Sequence, residues 1–94
     1  MIGSFYFTGM HYVVYVLGNA RDSSWYIGFT TNLKERVKAH NSKRSPYTST
    51  RNDWKLIYAE LYLNKADALG REKFLKSGAG HRFLKKQLAH YLSE

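Results

Sequence analysis

His11-Tyr12-Val13-Val14-Tyr15-Val16-Leu17, then Gly18-Asn19-Ala20-Arg21-Asp22-Ser23-Ser24, then Trp25-Tyr26-Ile27-Gly28, is the stretch whose reading decides the fold. The first seven residues are apolar or aromatic at nearly every position and rich in Val and Tyr. That pattern suits a strand covered on both faces better than a half-exposed one. The next seven supply turn residues, and the last four read as a second strand paired antiparallel to the first. The two form a hairpin whose first strand lies in the middle of a sheet.

Working outward, Asn32 can cap a helix in which Leu33 and Val37 share one face while Arg36 and His40 share a neighbouring face at i, i+4 spacing. That helix fades at Asn41-Ser42. Residues 43–52 are polar, basic and punctuated by Pro46, the only proline, and read as a loop before a strand from Trp54 to Tyr62. Asn64 is a second cap, for a helix running to about Lys76, which Gly78 and Gly80 should break. A last helix carries Leu84, Leu88 and Tyr91 or Leu92 as its core stripe, with Arg82, Lys85 and Lys86 facing outward. The order β-β-α-β-α-α describes an α+β fold, a small three-stranded sheet flanked by helices. With no repeat or linker, residues 1–94 read as one domain with its core in 11–92.

A chain that is 44% hydrophobic and 16% aromatic has too much apolar material for a disordered tail and enough for a packed core. Lys and Arg number 15 against 7 Asp and Glu, a formal charge of +8, which is the balance of a polyanion binder. Nucleic acid is the first partner to consider, ahead of a membrane surface or an acidic protein. No apolar run is long enough to span a bilayer, and Met1-Ile2-Gly3-Ser4-Phe5 lacks the basic region of a secretory leader. The absence of cysteine excludes disulfides and thiolate zinc sites. A cytoplasmic monomer is the default expectation.

The acidic residues are few enough to sort singly. Asp22 belongs to a turn, Asp67 to the first turn of a helix, and Glu94 is the last residue. Glu35 lies among lysines, while Asp53 and Glu60 belong to a loop edge and a strand. Glu72 differs: helical spacing sets it between Leu69 and Leu75 and one turn after Ala68, along a partly apolar face where an ionised carboxylate needs a cation or a donor. An ion pair with Lys73, Lys76 or Arg36 would satisfy it, as would a metal. The four histidines show no ligand spacing, whereas a single carboxylate suits Mg²⁺ or Mn²⁺, which keep waters and take further ligands from phosphate. Tyr15 and Tyr26 can simply fill strands, and Arg36 with His40 can be a solvated helix face. A free tyrosine titrates near pH ~10, so using one as a base requires nearby positive charge, which Arg36 could supply.

The ordered set is more informative than its parts. Val13-Val14-Tyr15, then Tyr26-Ile27-Gly28 with the tyrosines eleven residues apart, Arg36 ten residues later, and a glutamate after the third strand resemble the GIY-YIG nuclease superfamily. The resemblance spans roughly residues 11–92. It is closest to the small stand-alone bacterial proteins of that superfamily, echoed in Tyr26-Ile27-Gly28-Phe29-Thr30, His40-Asn41-Ser42 and Tyr47-Thr48. The same catalytic module occurs in homing endonucleases, some restriction enzymes and an excision-repair nuclease subunit.

The resemblance implies metal-dependent hydrolysis of DNA phosphodiesters, with RNA left open. It makes Tyr15 and Tyr26 the motif tyrosines, one of which activates water, with Tyr15 favoured here. It makes Arg36 the contact to the scissile phosphate, His40 a proton shuttle, and Glu72 the ligand of one Mg²⁺ or Mn²⁺. Three departures stand out. Val13-Val14 replaces Gly-Ile, and Phe29 sits where some members are polar, leaving Thr30 as the nearest hydroxyl. Ser77 to Arg82 holds no match for an asparagine that several members carry. The rival reading is a nucleic-acid-binding module on the same fold that cuts weakly or not at all.

Basic residues cluster at Lys34, Arg36, Lys38, Lys43, Arg44, Arg51 and Lys55, and again at Arg71, Lys73, Lys76, Arg82, Lys85 and Lys86. From these, Lys34, Lys38, Lys43, Arg44, Arg51, Arg71, Lys76, Arg82 and Lys85, together with Tyr47, are the expected nucleic-acid contacts. DNA binding should therefore be weak, largely independent of sequence, and steeply lost as salt rises. A gel-shift titration at low and high salt checks this, and equal affinity at both would refute the electrostatic reading.

Overall fold

A computed structural model describes residues 11–42 and 53–94. The expected loop, together with Lys43, Arg44, Tyr47 and Arg51, falls outside the described residues. Among those described, the order is β1 (Tyr12–Asn19), β2 (Trp25–Thr30), α1 (Leu33–Asn41), β3 (Trp54–Tyr62), α2 (Lys65–Leu75), α3 (Gly78–Gln87) and α4 (Ala89–Leu92). The fold is α+β, with a three-stranded antiparallel sheet in the order β2-β1-β3. Its central strand is the Val- and Tyr-rich run that the sequence marks as covered on both faces.

Because side chains alternate along a strand, β1 divides its residues between two layers. Val14 and Val16 turn toward α2 and α3, where they meet Ile27, Ala68, Leu75 and Leu84. Val13, Tyr15 and Leu17 turn the other way, toward Trp54, Tyr26 and the Leu33 and Val37 stripe of α1. Val14, Tyr15, Val16 and Leu17 have no exposed surface at all. At about 1.5–3 kcal/mol for each fully buried large apolar side chain, this strand is where the chain gains most from folding.

Asn32 caps α1 by accepting from the Glu35 N–H, and Asn64 caps α2 by accepting from Ala66 and Asp67. The hairpin turn is tied by Asn19 and Asp22, whose side chains accept from the backbone N–H groups of Arg21, Asp22 and Ser24. Ser23 takes the left-handed backbone that the tight reversal needs.

Two expectations about the C-terminal helices change. Gly78 and Gly80 do not lie between helices: α2 ends at Leu75, Ser77 caps the next helix, and both glycines sit in the first turn of α3. Gly80 is needed for contact, because a Cβ there would come within 2.5 Å of Leu75 Cα and collide with the Phe74 carbonyl. The stripe expected on the last helix also stops early. Leu84 is buried, but the helix is interrupted at Leu88, and Tyr91 and Leu92 are 40% and 43% exposed.

Gly80→Ala sets a methyl group against backbone that cannot rotate away, so it should cost about 1–3 kcal/mol or more. Thermal unfolding should register this as a drop of roughly 4–8 °C per kcal/mol for a chain of this size. An unchanged Tm would mean that α2 and α3 do not meet as closely as described.

Candidate active site

Four expected catalytic residues meet on the α1 side of the sheet. Tyr15 lies at the centre of β1, and its Oη is 2.9 Å from His40 Nε2, both residues being fully buried. Tyr26, on β2, brings its ring to 4.6 Å from the His40 ring and 6.2 Å from the Tyr15 ring. Trp54 closes the far side of Tyr26 with an edge contact at 6.5 Å. The hairpin register puts Gly28 directly opposite Tyr15. A Cβ on residue 28 would stand 2.5 Å from Tyr15 Cζ, so the second motif needs glycine to make room for the tyrosine of the first.

Arg36, half-buried one turn before His40, lies close enough to both tyrosines for its interactions with them, that with Tyr15 foremost, to raise its own pKa. Burial pushes the Tyr15 hydroxyl up to about 12 despite the hydrogen bond and positive charge of Arg36, with Tyr26 and Glu72 adding to the rise. Burial and the Arg36 charge together lower His40. Near neutral pH the pair is therefore a neutral phenol and a neutral imidazole. The Tyr15 hydroxyl and His40 Nε2 share one hydrogen bond, in which the imidazole tautomer sets which group donates.

The two motif tyrosines differ in their access to solvent. A side chain with no exposed surface and a pKa near 12 neither meets solvent water nor ionises readily. Tyr26 is half-buried, so it is the motif tyrosine that solvent reaches. Beside it, Thr30, Asn32, Glu35, Arg36 and Ala39 line a shallow cleft of about 350 Å³. Thr30 helps shape the start of α1, accepting from the Asn32 N–H at 3.0 Å. Phe29 is turned to the other face and stacks on Tyr12 at 6.0 Å.

Glu72 lies on α2, its side chain 20% exposed and paired with Lys76 at 3.1 Å. The ion pair that the helix spacing allows is thus formed, but the carboxylate is also close enough for its charge to act on Tyr15. No group of three or more His, Asp or Glu side chains with metal-site geometry occurs among the described residues. A partly shielded carboxylate can serve Mg²⁺ or Mn²⁺, which complete their shells with water and phosphate. Glu72 is the residue that fits this role.

A family model described as the GIY-YIG catalytic domain matches residues 11–84. The chain belongs to the GIY-YIG family. Similar members include a UPF0213 protein of Streptococcus pneumoniae, 42% identical over 82 residues, covering 86% of this chain and 77% of that one. Another, from Staphylococcus haemolyticus, is 38% identical over 76 residues, covering 80% of this chain and 90% of that one. The solution NMR structure of a UPF0213 protein from Bacillus halodurans is 33% identical, covers 87% of this chain and 85% of that one, and superposes with a TM-score of 0.50. These relatives are small bacterial UPF0213 proteins, in keeping with the small stand-alone proteins that the motif pattern anticipates. Among the described residues no helix is long and apolar enough to cross a membrane.

Among the described residues, the expected nucleic-acid contacts do not form one surface. Lys34 and Lys38 are exposed on α1 beside Arg36, Arg82 and Lys85 are exposed on α3, and Lys76 is held by Glu72. Arg71 has a different partner. Its Nε and Nη2 donate to the Glu60 carboxylate at 2.9 and 3.1 Å, and its guanidinium lies over Phe83 at 4.5 Å. Tyr58 and Tyr62 donate to the same carboxylate at 2.5 and 2.8 Å. Burial works to raise the Glu60 carboxyl, but these donors hold it below its ordinary value.

Sequence reasoning also missed Asn41. Its side-chain amide accepts from the Trp54 N–H and donates to the Trp54 C=O, both at 2.9 Å, tying the end of α1 to the start of β3. The only trace of this in the sequence is the His40-Asn41-Ser42 run of the resemblance.

The shifted pKa values set two pH windows. His40 is lowered, so its contribution to stability is complete above pH 6.5 and is lost as pH falls below that value. Tyr15 is raised from 10.0 to about 12, so its contribution is complete below pH 10 and is lost as pH rises toward 12. Thermal unfolding across pH should show His40→Gln flattening the limb just below pH 6.5. Tyr15→Phe should shrink the alkaline loss without abolishing it, because Tyr58 is also raised to about 12. Alkaline limbs of equal steepness in wild type and Tyr15→Phe would count against a buried neutral Tyr15.

Proposed function

We propose that this chain is a metal-dependent endonuclease that hydrolyses phosphodiester bonds of DNA. The observation that carries the reading is Arg36, held between a buried Tyr15–His40 pair and the solvent-facing Tyr26. An arginine set beside two phenols at the edge of a cleft can hold a phosphate oxygen and stabilise charge as it develops. Its family membership makes nucleic acid the expected substrate class.

In this mechanism Tyr26, as its phenolate, takes the proton of the attacking water and becomes the neutral phenol. The positive charge of Arg36 favours that phenolate beforehand and steadies the scissile phosphate as the hydroxide attacks. The resulting hydroxide attacks phosphorus in line, the bond to the leaving oxygen breaks, and solvent protonates that oxygen. Tyr15 and His40 do not meet water. As a hydrogen-bonded pair they form the fixed wall against which Arg36 rests. Glu72 would hold one Mg²⁺ or Mn²⁺, which when bound supplies Lewis-acid stabilisation of charge on the leaving oxygen. Lys34 and Lys38 flank the cleft on α1 and can engage neighbouring phosphates.

The rival reading, a binder that cuts weakly or not at all, draws support from the Lys76–Glu72 ion pair, which a cation would have to displace. One set of variants separates the two. Wild type should nick supercoiled DNA only with Mg²⁺ or Mn²⁺ present. Arg36→Ala should lose about 10²–10³-fold in rate with a smaller loss of binding. Tyr26→Phe should cost more activity than Tyr15→Phe, since only Tyr26 meets the water. Glu72→Gln should abolish metal-induced amide shifts and cutting while the protein stays folded and still binds DNA. A folded Glu72→Gln protein that cleaved at the wild-type rate would end this mechanism.

A further inference from the structure

On the face of the sheet turned away from Tyr15, at the hairpin end, lies a groove of about 1190 Å³. Gly18, Trp25 and Ile57 line it from the sheet, and residues of α3 and α4 line it from the helical side. Gly18 pairs with Trp25 across the hairpin and lies on the same side of β1 as Val14 and Val16. The thickness of the sheet therefore separates this groove from the Tyr15–His40 pair, and no step of the proposed hydrolysis uses it.

Its lining combines flat rings with positive charge. The exposed His81 ring is backed by Trp25 at 5.6 Å. Tyr91 is 40% exposed, and Lys55 Nζ stands 5.9 Å from its ring centroid. Lys85 adds a second cation, against the single acidic side chain of Glu94. The groove exceeds the roughly 300–1,000 Å³ of a typical small-molecule pocket. Stacking platforms interleaved with cations suit a ligand whose π faces are open and whose backbone is regularly anionic. A duplex hides its base faces, and an acidic peptide offers charge without rings.

We propose that this groove is a binding site for single-stranded nucleic acid, in which bases stack on His81 and Tyr91 while phosphates meet Lys55 and Lys85. It gives the protein a second contact, on the side of the sheet away from the catalytic cleft, and hence a preference for substrates in which a single-stranded stretch adjoins the duplex to be cut. This rests on the nucleic-acid part of the function proposed above and not on catalysis.

Fluorescence anisotropy with a labelled ten-nucleotide oligothymidylate and a labelled blunt duplex, both without metal, tests it. The full-length wild type is compared with His81→Ala and Tyr91→Ala, two exposed positions whose variants should fold normally. Each variant should weaken oligothymidylate binding on the order of tenfold while duplex affinity and metal-dependent nicking stay near wild type. The proposal is overturned by a wild type that does not bind oligothymidylate, by unchanged single-strand affinity in both variants, or by equal losses for single strand and duplex. It is also overturned if a glutamate decapeptide displaces the oligonucleotide as well as unlabelled oligothymidylate does. Nicking is read separately: a protein that binds single strands through His81 and Tyr91 but never cuts would retain the groove and lose the nuclease.

Discussion

The structure depends on a strand that has to be buried on both sides. β1 cannot tolerate a solvated face, so α1 must cover one side of it while α2 and α3 cover the other. The alternation of its side chains then assigns separate tasks to adjacent residues. Val14 and Val16 hold the helical layer, whereas Tyr15, between them, faces α1 and receives His40 and Arg36. A one-residue slip in register would send Tyr15 into the aliphatic core and a valine into the site. The tie between Asn41 and Trp54 fixes where α1 meets the sheet, and the Gly80 contact fixes α3 against α2.

Burial also determines what each polar group can do. In water a tyrosine beside an arginine would ionise more readily. Here loss of solvent outweighs Arg36 at Tyr15, and the same burial keeps His40 neutral. The two become a fixed hydrogen-bonded pair suited to aiming a third group. Tyr26 shares the same arginine but keeps part of its surface in solvent, so proton exchange with water is open to it. Two tyrosines eleven residues apart thus differ in access to solvent because one lies at the centre of the sheet and the other on its edge strand.

Much of this was legible in the sequence where a local pattern had a single physical solution. An uninterrupted run of Val and Tyr has to be a doubly covered strand, and Asn32 and Asn64 stand where caps are needed. Glu72 was singled out because a carboxylate on an apolar helix face requires a partner. What escaped depended on contacts between elements. Gly80 looks like a helix breaker until the end of α2 is seen pressed against it. Arg71 reads as one more cation in a basic chain, and its bond to Glu60 joins a helix to a strand eleven residues earlier. The choice between Tyr15 and Tyr26 turns on exposure, which spacing does not report. Gly28 was noticed as part of a motif, but its reason is the tyrosine ring lying across from it.

Asn41 has a consequence for how such a domain can diversify. Its two hydrogen bonds to Trp54 hold together both ends of the segment 43–52, at the point where His40 leaves the core and β3 begins. Closing a longer connection between ends that are already held costs only about 0.6 kcal/mol for each doubling of its length. The pairing of α1 with β3 therefore depends on this tie rather than on the length of chain between them. A clamp made by one side chain would let this scaffold acquire new substrate contacts without redesigning its chemistry.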